Sequence, residues 1–347
     1  MNSKNNNSVT LSSIADALNL SVTTVSRVLN GKASKYRIKK ETEEAVLNVA
    51  KELNYEPHYL ARGLRMNKTG TIGLIIPDIS NHFFSVIARS IEIQARRNDY
   101  SIMLCDSQEN TEIEINSIKL LKSKKVDGMI ICPVGKEMDH LERLSKSEIP
   151  LVVVDRYSNG LECPHVISDN YKGTLEAINY FFDNGHRVIG CIQGTPNTSV
   201  NDERIRGFCD AYIKRNMEVD KNLIVGDSFG ERNGYISTKI LINKEVRPTA
   251  IFAASNLILL GALRALSEEN IKVPEDISII AFDDELYSKF LSPPITTVIQ
   301  QKIEMGNLAV KLLIDQIKSK DNVDKMEFIL PTNLIIRSSV KRLNNGM

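Results

Sequence analysis

The sequence predicts an α/β protein in which a small N-terminal helix-turn-helix head precedes a two-lobed, doubly wound core. Two observations carry this prediction. Residues 9–56 place apolar side chains at helical spacing in short segments that are separated by cap and turn residues. From Thr71 onwards, short apolar runs alternate with amphipathic helical stretches. That alternation is typical of a parallel sheet with helices on both faces.

The head begins with two short helices joined by a tight turn. Thr10 is suited to cap the first, whose apolar residues share one face: Leu11, Ile14, Ala15 and Leu18. Ser21 is suited to cap the second, whose inward residues are Val22, Val25, Val28 and Leu29. Its outward residues are Thr23, Thr24, Ser26 and Arg27. This arrangement predicts helix-turn-helix geometry.

The outward face of the second helix carries hydroxyls and a guanidinium. Hydroxyls bond phosphates and base edges, and Arg27 can pair bidentately with guanine in a major groove. A solvated face on an ordinary helical domain is the alternative, since polar outer faces are common.

The run TVSRVLNG, followed by a third helix ending in LNYEPHYLARGLR, resembles the DNA-binding head of the LacI/GalR family of bacterial transcription regulators. The match extends over more than fifty residues. The departures are Ser13 for an Asp, His58 for an Asn, Gly63 for a Ser, and about three extra residues around Ser34 to Arg37. The resemblance implies a set of DNA contacts: Thr10, Ser21, Val22, Thr23, Thr24, Ser26, Arg27, Asn30, Tyr55, Ala61, Arg62 and Leu64.

Residues 57–70 are expected to form a hinge helix and linker. Pro57 stops the third helix, and Gly63 lowers helix propensity by about 1 kcal/mol relative to Ala. In the family this helix folds on the operator, and its leucine, matched by Leu64, wedges into the minor groove. The alternative makes Leu64 a packing contact onto the core.

Charge is distributed unevenly along the chain. Residues 1–68 carry a net charge of +5 and the remainder −4, so a basic head suited to polyanions is joined to a mildly acidic body. Residues 1–8 read as a disordered polar tail, without the apolar segment of a signal peptide or membrane span. The five cysteines lack CxxC spacing and predict reduced thiols, which fits a cytoplasmic protein.

The core, 71–340, predicts two lobes with a ligand cleft at the carboxyl ends of the strands. Its apolar runs include TIGLIIP, YSIMLCD, VDGMIICP, PLVVVDR, RVIGCIQG, TAIFAAS and ISIIAFDD. The first lobe is expected at about 71–168 plus 299–323, and the second at about 169–298 plus 324–340. IPDISNHFF, NGHRVIG and PPITTV extend the resemblance over nearly the whole chain, which implies a core of the periplasmic-binding-protein type.

Polar and aromatic residues at strand ends and helix starts are expected to bind a small polar effector, such as a sugar. The candidates are Asp78, Phe83, Phe84, Asp106, Asp155, Arg204, Phe229, Asn256, Asp283 and Gln300. By family position, Arg204, Asn256 and Asp283 match effector contacts, whereas Leu257 replaces a common Asp. For each Asp the alternative is a cap or turn residue, and for Phe83 and Phe84 it is core packing.

Phosphate-loop, HExxH and GxSxG motifs are absent, and metal-spaced Cys/His clusters are too, so neither catalysis nor a metal or other cofactor is expected. The sequence therefore favours a ligand-responsive DNA-binding repressor. It is expected to act as a homodimer on a near-palindromic double-stranded operator, because two heads double the base contacts. A cytoplasmic solute-binding module and a doubly wound enzyme are the alternatives. ARGL and TIGLIIPDISN are similar to catabolite-control members of the family, which use a protein co-regulator.

Overall fold

The computed structural model describes residues 9–55, 68–135, 137–319 and 326–343. The chain divides into two compact units, Met1–Thr69 and Gly70–Met347, which contain the head and the core. The predicted polar tail and most of the predicted hinge, including Ala61, Arg62 and Leu64, lie outside the described residues. Among the helices that are described, none combines the length and the apolar character of a membrane span.

The head contains α1 (Leu11–Leu18), α2 (Val22–Leu29) and α3 (Lys40–Glu52). Thr10 caps α1 as predicted, in a reciprocal box in which the Ser13 hydroxyl accepts from the Thr10 amide at 3.2 Å. Serine therefore supplies at Ser13 the acceptor that an aspartate would offer. Ser21 caps α2 by accepting from the Thr24 amide at 3.0 Å.

The head core is built around Ile14, Val25 and Val46, all fully buried. The inward face predicted for α2 is only partly correct, because Val22 is 41% exposed. Val22 is the first residue of an eight-residue helix, whose buried residues are Val25 and Val28. In so short a helix, only the apolar residues of the later turn contact the head core, and the first valine stays at the surface.

Strands and helices alternate along the core as the sequence predicts. The strands are β1 (Thr71–Ile76), β2 (Ser101–Asp106), β3 (Gly128–Ile131), β4 (Leu151–Val154), β5 (His165–Ser168), β6 (Ile189–Ile192), β7 (Ile224–Val225), β8 (Ala250–Ala253), β9 (Ser278–Phe282), β10 (Thr296–Ile299), β11 (Glu327–Leu330) and β12 (Asn333–Ile335). The helices are α4 (His82–Arg96), α5 (Thr111–Ser123), α6 (Asp139–Ser145), α7 (Asn170–Asp183), α8 (Ser199–Ile213), α9 (Glu231–Ile242), α10 (Asn256–Glu268) and α11 (Lys302–Ser319).

The strands form two six-stranded sheets, one in each lobe. The first has the order β11-β5-β4-β3-β1-β2 and the second β12-β10-β9-β8-β6-β7. Neighbouring strands are parallel except for β10 and β12. Every residue of β3, β4, β8 and β9 is buried, which explains their continuous apolar runs.

The sequence patterns did not predict β7 or α9. Strand β7 is only two residues long, and α9 contains Gly234, which has a low helix propensity. A Cβ at Gly234 would lie 2.1 Å from the Ile258 carbonyl oxygen, so glycine permits close contact between α9 and α10. That tertiary contact stabilises a helix with a weak local signal.

The lobe boundary predicted at residue 324 is wrong. Strand β11 pairs in parallel with β5, so Glu327–Leu330 belongs to the first sheet. Strand β12 then pairs with β10 in the second sheet. The apolar run FILPTNLIIRSS therefore divides between the lobes at Pro331 and Thr332, because a proline cannot donate the amide hydrogen bond that a continuous strand needs.

Candidate functional site

A small cavity of about 30 Å³ lies between the two lobes. Residues of both lobes line it: Asn81, Phe83, Phe84, Glu109, Asp155, Arg156, Val200, Arg204, Phe229, Ser255, Asn256, Asp283 and Gln300. Eight of the ten candidates named from the sequence thus come together. The other two do not line the cavity: Asp78 accepts from the Ser80 hydroxyl at 2.6 Å, and Asp106 from the Gln108 amide at 3.1 Å. Both carboxylates serve as turn residues.

Two carboxylates enter the cavity from positions just after β4 and β9. Asp155 and Asp283 have φ angles of 71° and 73°, a left-handed conformation that residues other than glycine seldom adopt. Such strain persists only where surrounding structure enforces it, and it concentrates at binding sites. Both side chains are almost fully buried.

The Asp155 carboxylate lacks a full set of partners. Its Oδ1 atom is buried without a hydrogen bond. Burial raises the pKa of Asp155 to about 6, and the charge of Asp283 also raises it, although Arg156 and Arg204 oppose the shift. A ligand that donates a hydrogen bond to Oδ1 would favour the ionised form.

Arg204 lies in the second turn of α8, the helix that follows β6. Its Nε donates to Asn170 Oδ1 at 2.9 Å, and one terminal nitrogen donates to the Ala254 carbonyl at 2.5 Å. The guanidinium carbon lies 3.7 Å from the centroid of the Phe282 ring. Burial lowers the pKa of Arg204 to about 10, with Asp283 and Asp155 opposing the shift. The arginine is therefore held rigidly and remains charged.

Arg156 is a cleft residue that sequence reasoning missed. It forms a bidentate ion pair with Glu109, at 2.7 and 2.8 Å, and donates to the Val134 carbonyl at 2.5 Å. Its position directly after the buried run PLVVVD was the available signal, because residues following a parallel strand reach the cleft. Glu109 had no comparable signal, since it lies in a loop.

Aromatic rings form the apolar part of the cavity. Phe83 and Phe84 pack edge to face with centroids 5.1 Å apart, and both also belong to the core of the first lobe. Phe229 lies between the two arginines, with guanidinium carbons 5.4 Å (Arg156) and 5.9 Å (Arg204) from its centroid. The cleft thus combines flat apolar surface with charged hydrogen-bonding groups.

The remaining cleft residues form hydrogen bonds with each other, some of them between the two lobes. Gln300 Nε2 donates to Asp283 Oδ1 at 2.5 Å, while its Oε1 is buried without a partner. Asn256 Nδ2 contacts Asn81 Oδ1 in the other lobe at 3.3 Å and Glu285 Oε1 at 3.2 Å. The Tyr157 amide also donates across the lobes, to the Ser199 hydroxyl at 3.0 Å.

Two larger cavities occur elsewhere on the core, with volumes of about 530 and 520 Å³. Among the described residues, however, three of the five buried side-chain atoms without a hydrogen-bond partner belong to the smaller cavity: the acceptors Asp155 Oδ1 and Gln300 Oε1 and the donor Arg156 Nε. Unsatisfied buried polar groups are costly unless a ligand completes them, so the smaller cavity is the better candidate site. The described chain contains no cluster of three or more His, Cys, Asp or Glu able to hold a metal ion.

The predicted DNA-contacting residues of the head differ in their exposure and in the hydrogen bonds that they already make. Thr23 and Arg27 are exposed on α2. The hydroxyls of Thr10 and Ser21 cap helices, Asn30 donates to the Ser26 carbonyl at 2.5 Å, and half-buried Tyr55 packs on the head core. Thr24 and Ser26 are half-buried. Arg27 therefore carries the free charge on the outer face of α2.

Both the head and the core resemble known protein families. Residues 10–58 match the bacterial regulatory proteins of the lacI family, and residues 178–340 match a periplasmic binding protein-like domain. The HTH-type transcriptional repressor PurR of Haemophilus influenzae (strain PittEE) is 36% identical over 338 residues, covering 96% of this chain and 99% of the relative. The chain belongs to the LacI family of bacterial regulatory proteins. It is a DNA-binding transcriptional regulator with an effector-binding core.

Other relatives of this LacI-family regulator also match nearly its whole length. PurR of Pasteurella multocida (strain Pm70) is 33% identical over 334 residues, covering 96% of this chain and 98% of the relative. A structure of the transcriptional regulator CelR in complex with cellobiose has a TM-score of 0.72 and 27% identity, over 95% and 99% of the two chains. The lac repressor dimer bound to operator and the anti-inducer ONPF shares the fold, with a TM-score of 0.85 at 24% identity over 96% and 99%.

Proposed function

We propose that this LacI-family regulator represses transcription from a near-palindromic operator as a homodimer, and that a small neutral polyhydroxy metabolite of the sugar class controls its operator affinity. The observation that carries the effector proposal is the pair of buried acceptors, Asp155 Oδ1 and Gln300 Oε1, at one cavity. Hydroxyl groups of a ligand can donate to both atoms, while Phe84 and Phe229 cover its apolar faces.

The charge balance of the cavity supports a neutral ligand. Arg156 pairs with Glu109 and also lies beside Asp155, so the three carboxylates Glu109, Asp155 and Asp283 outnumber the two guanidinium groups by one charge. A phosphate or carboxylate would add to this excess of negative charge at a site with little water to screen it. Polyhydroxy compounds gain hydrogen bonds to charged groups without that repulsion.

Contacts across the cleft support control of the head through the lobe arrangement. Asn81 and Asn256, Tyr157 and Ser199, and His82 and Glu285 pair between the lobes. A ligand that bonds Asp155 in one lobe and Asp283 in the other favours the arrangement in which both lie near it. Such differential binding is the thermodynamic requirement for allosteric control of DNA affinity.

A thermal-shift screen of full-length protein against neutral sugars, sugar phosphates, nucleosides and purines tests the effector proposal. A ligand at a hundred times its Kd stabilises the native state by about 2.7 kcal/mol. Neutral sugars are expected to raise the melting temperature, and the matching sugar phosphates to have little effect. Stabilisation by phosphates alone would contradict the proposal.

Selection of operators from random DNA tests the repressor role. Enrichment of a near-palindromic sequence supports the repressor, which acts in the cytoplasm on DNA. We propose no catalytic role and no cofactor; turnover of a stabilising ligand would contradict this part of the proposal.

Replacing Arg27 with alanine tests the DNA-contacting face of α2. Arg27 is exposed and lies in the last turn of the helix. If it pairs with a base, the substitution should cost about 1–3 kcal/mol of operator affinity and relax preference at that base. Fluorescence anisotropy with selected operator and with random DNA measures this, and wild-type affinity for operator in the variant would remove Arg27 from the base-reading set.

The homodimer is supported by an exposed apolar segment in the second lobe. Leu286 and Phe290, in the loop between β9 and β10, are 74% and 78% exposed. Large apolar side chains so close in sequence and so exposed are typical of a surface that another protein covers. A second copy is the partner required by two heads on a symmetric operator.

Replacing Phe290 with aspartate should weaken dimerisation at least about a hundredfold. Each dimer would lose two buried phenylalanines, and burial of one stabilises by about 1.5–3 kcal/mol. Analytical ultracentrifugation measures the dissociation constant. The control is Ile213→Asp, which alters another exposed apolar residue, on α8. Equal dimerisation of wild type and Phe290→Asp would place the interface elsewhere.

A further inference from the structure

The extra turn between α2 and α3 stacks an aromatic ring on the exposed arginine of α2. The guanidinium carbon of Arg27 lies 3.9 Å from the centroid of the Tyr36 ring. Tyr36 belongs to the 3-10 turn Ser34–Tyr36, within the stretch in which this sequence is longer than its family's usual pattern. At that distance the ring face attracts the cation and restricts the orientation of its plane.

The turn is attached to α2 at Arg27 itself. The Lys32 amide donates to the Arg27 carbonyl at 2.9 Å, and the Tyr36 amide donates to the Lys32 carbonyl at 3.2 Å. Gly31, with a φ of +66°, lets the chain reverse direction after α2. Ala33 is 1% exposed and fixes the turn to the head core. Two successive hydrogen bonds through Lys32 therefore connect the Tyr36 backbone to that of Arg27.

Exposure and charge indicate that Tyr36 has a role beyond packing. Tyr36 is 44% exposed although it carries a large aromatic ring. Residues 17–40 contain six Lys or Arg and no Asp or Glu, so no carboxylate within this segment competes for Arg27. Among the ion pairs of the described residues, none involves Arg27. The stacked pair is thus free to face an anionic partner.

We propose that Tyr36 is a positioning residue for operator recognition: its ring holds the Arg27 guanidinium in the orientation that reads a base. The inference rests on the proposed base-reading role of Arg27. A flexible arginine loses side-chain freedom when it binds, and an arginine that is already stacked loses less. Holding the guanidinium therefore increases affinity for the base that matches its orientation. The turn that carries Tyr36 then contributes to sequence specificity together with α2.

A double-mutant cycle in the full-length protein tests the proposal, using operator enriched from random DNA and random DNA as probes. Tyr36→Ala should weaken operator binding about two- to fivefold per head, the range for an exposed cation–π pair, and so about four- to twenty-five-fold for a dimer. Binding to random DNA should change much less. Tyr36→Phe keeps the ring and should restore operator affinity.

The decisive measurement is the coupling between the two side chains. In an Arg27→Ala background, adding Tyr36→Ala should cost little further operator affinity. Lys35→Ala is the matched control, because it alters the same turn without touching the stack. It should weaken operator and random DNA alike and lower the salt dependence of binding by about one unit for each head.

Three results would overturn the inference. Tyr36→Ala could reduce operator affinity equally with and without Arg27, or it could weaken binding to random DNA as much as binding to operator. Either result would show that Tyr36 only packs the loop. Failure of Tyr36→Phe to restore affinity would show that the hydroxyl, and not the ring, contributes. A separate failure of the Arg27 role itself is visible in the Arg27→Ala single variant, which would then bind operator like the wild type. Circular dichroism of each variant confirms that the helices persist.

Discussion

Arg204→Ala and Asp283→Ala are each expected to weaken effector binding by roughly ten- to a hundredfold or more. Hydrogen bonds to charged groups contribute about 1.5–3 kcal/mol each, and 1.4 kcal/mol corresponds to a factor of ten. Arg204 is held by Asn170 and the Ala254 carbonyl, so the bound ligand meets a donor already in place. Asp283 is oriented by Gln300 at 2.5 Å. Both side chains line the same cavity.

The effect on DNA binding identifies the direction of control. If the effector releases operator, both variants should bind operator as tightly as wild type and no longer respond to ligand. If the effector promotes binding, both should lose tight operator binding at any practical ligand concentration. Calorimetric titration and operator anisotropy with the ligand found by thermal shift measure the two affinities.

A control on the same helix separates ligand contact from destabilisation. Arg206 is two residues beyond Arg204 on α8, but it is exposed and pairs with Glu203 at the surface. Arg206→Ala should therefore leave effector affinity unchanged. Because Arg204→Ala also leaves buried partners unsatisfied, its melting temperature must be compared with that of Asp283→Ala. Unchanged ligand affinity in both cleft variants would place the effector site elsewhere.

Local signals in the sequence were sufficient for the head and for most of the core. Thr10 and Ser21 are caps whose hydroxyls act within three residues, so their role is visible in the sequence. Continuous apolar runs predict buried parallel strands for the same local reason. Residues such as Asp155 and Asp283 follow directly from strand ends, and the cleft lies where parallel strands end.

Features that depend on distant partners could not be predicted in this way. Glu109 becomes a cleft residue through its ion pair with Arg156, 47 positions away in sequence. Strand β11 joins the first lobe by pairing with β5, which no pattern within residues 324–340 encodes. The contact between Arg27 and Tyr36 depends on the conformation of an extra turn for which the family pattern offered no guide.

Asp155→Asn is expected to make the protein more stable at neutral pH and a weaker effector binder. Burial raises the pKa of Asp155 to about 6 from an ordinary value of 3.8. Because the folded-state pKa is the higher of the two, the ionised carboxylate destabilises the fold above about pH 6, by up to about 3 kcal/mol. Asparagine resembles the neutral acid, and it also tolerates the left-handed backbone at this position.

The sign of the pH dependence distinguishes this effect from a general change in packing. The stability gain of Asp155→Asn should be largest above pH 6 and disappear as the pH falls below about 4, where the wild-type carboxyl is protonated in both folded and unfolded states. Chemical denaturation at pH 4, 6 and 8 measures it. Effector binding should follow the opposite course, because the charged oxygen is the stronger acceptor for a ligand hydroxyl. Wild-type affinity should therefore fall below pH 6, whereas the affinity of the variant should be lower but nearly independent of pH. A gain in stability that is the same at all three pH values would show that the Asp155 charge is not its cause.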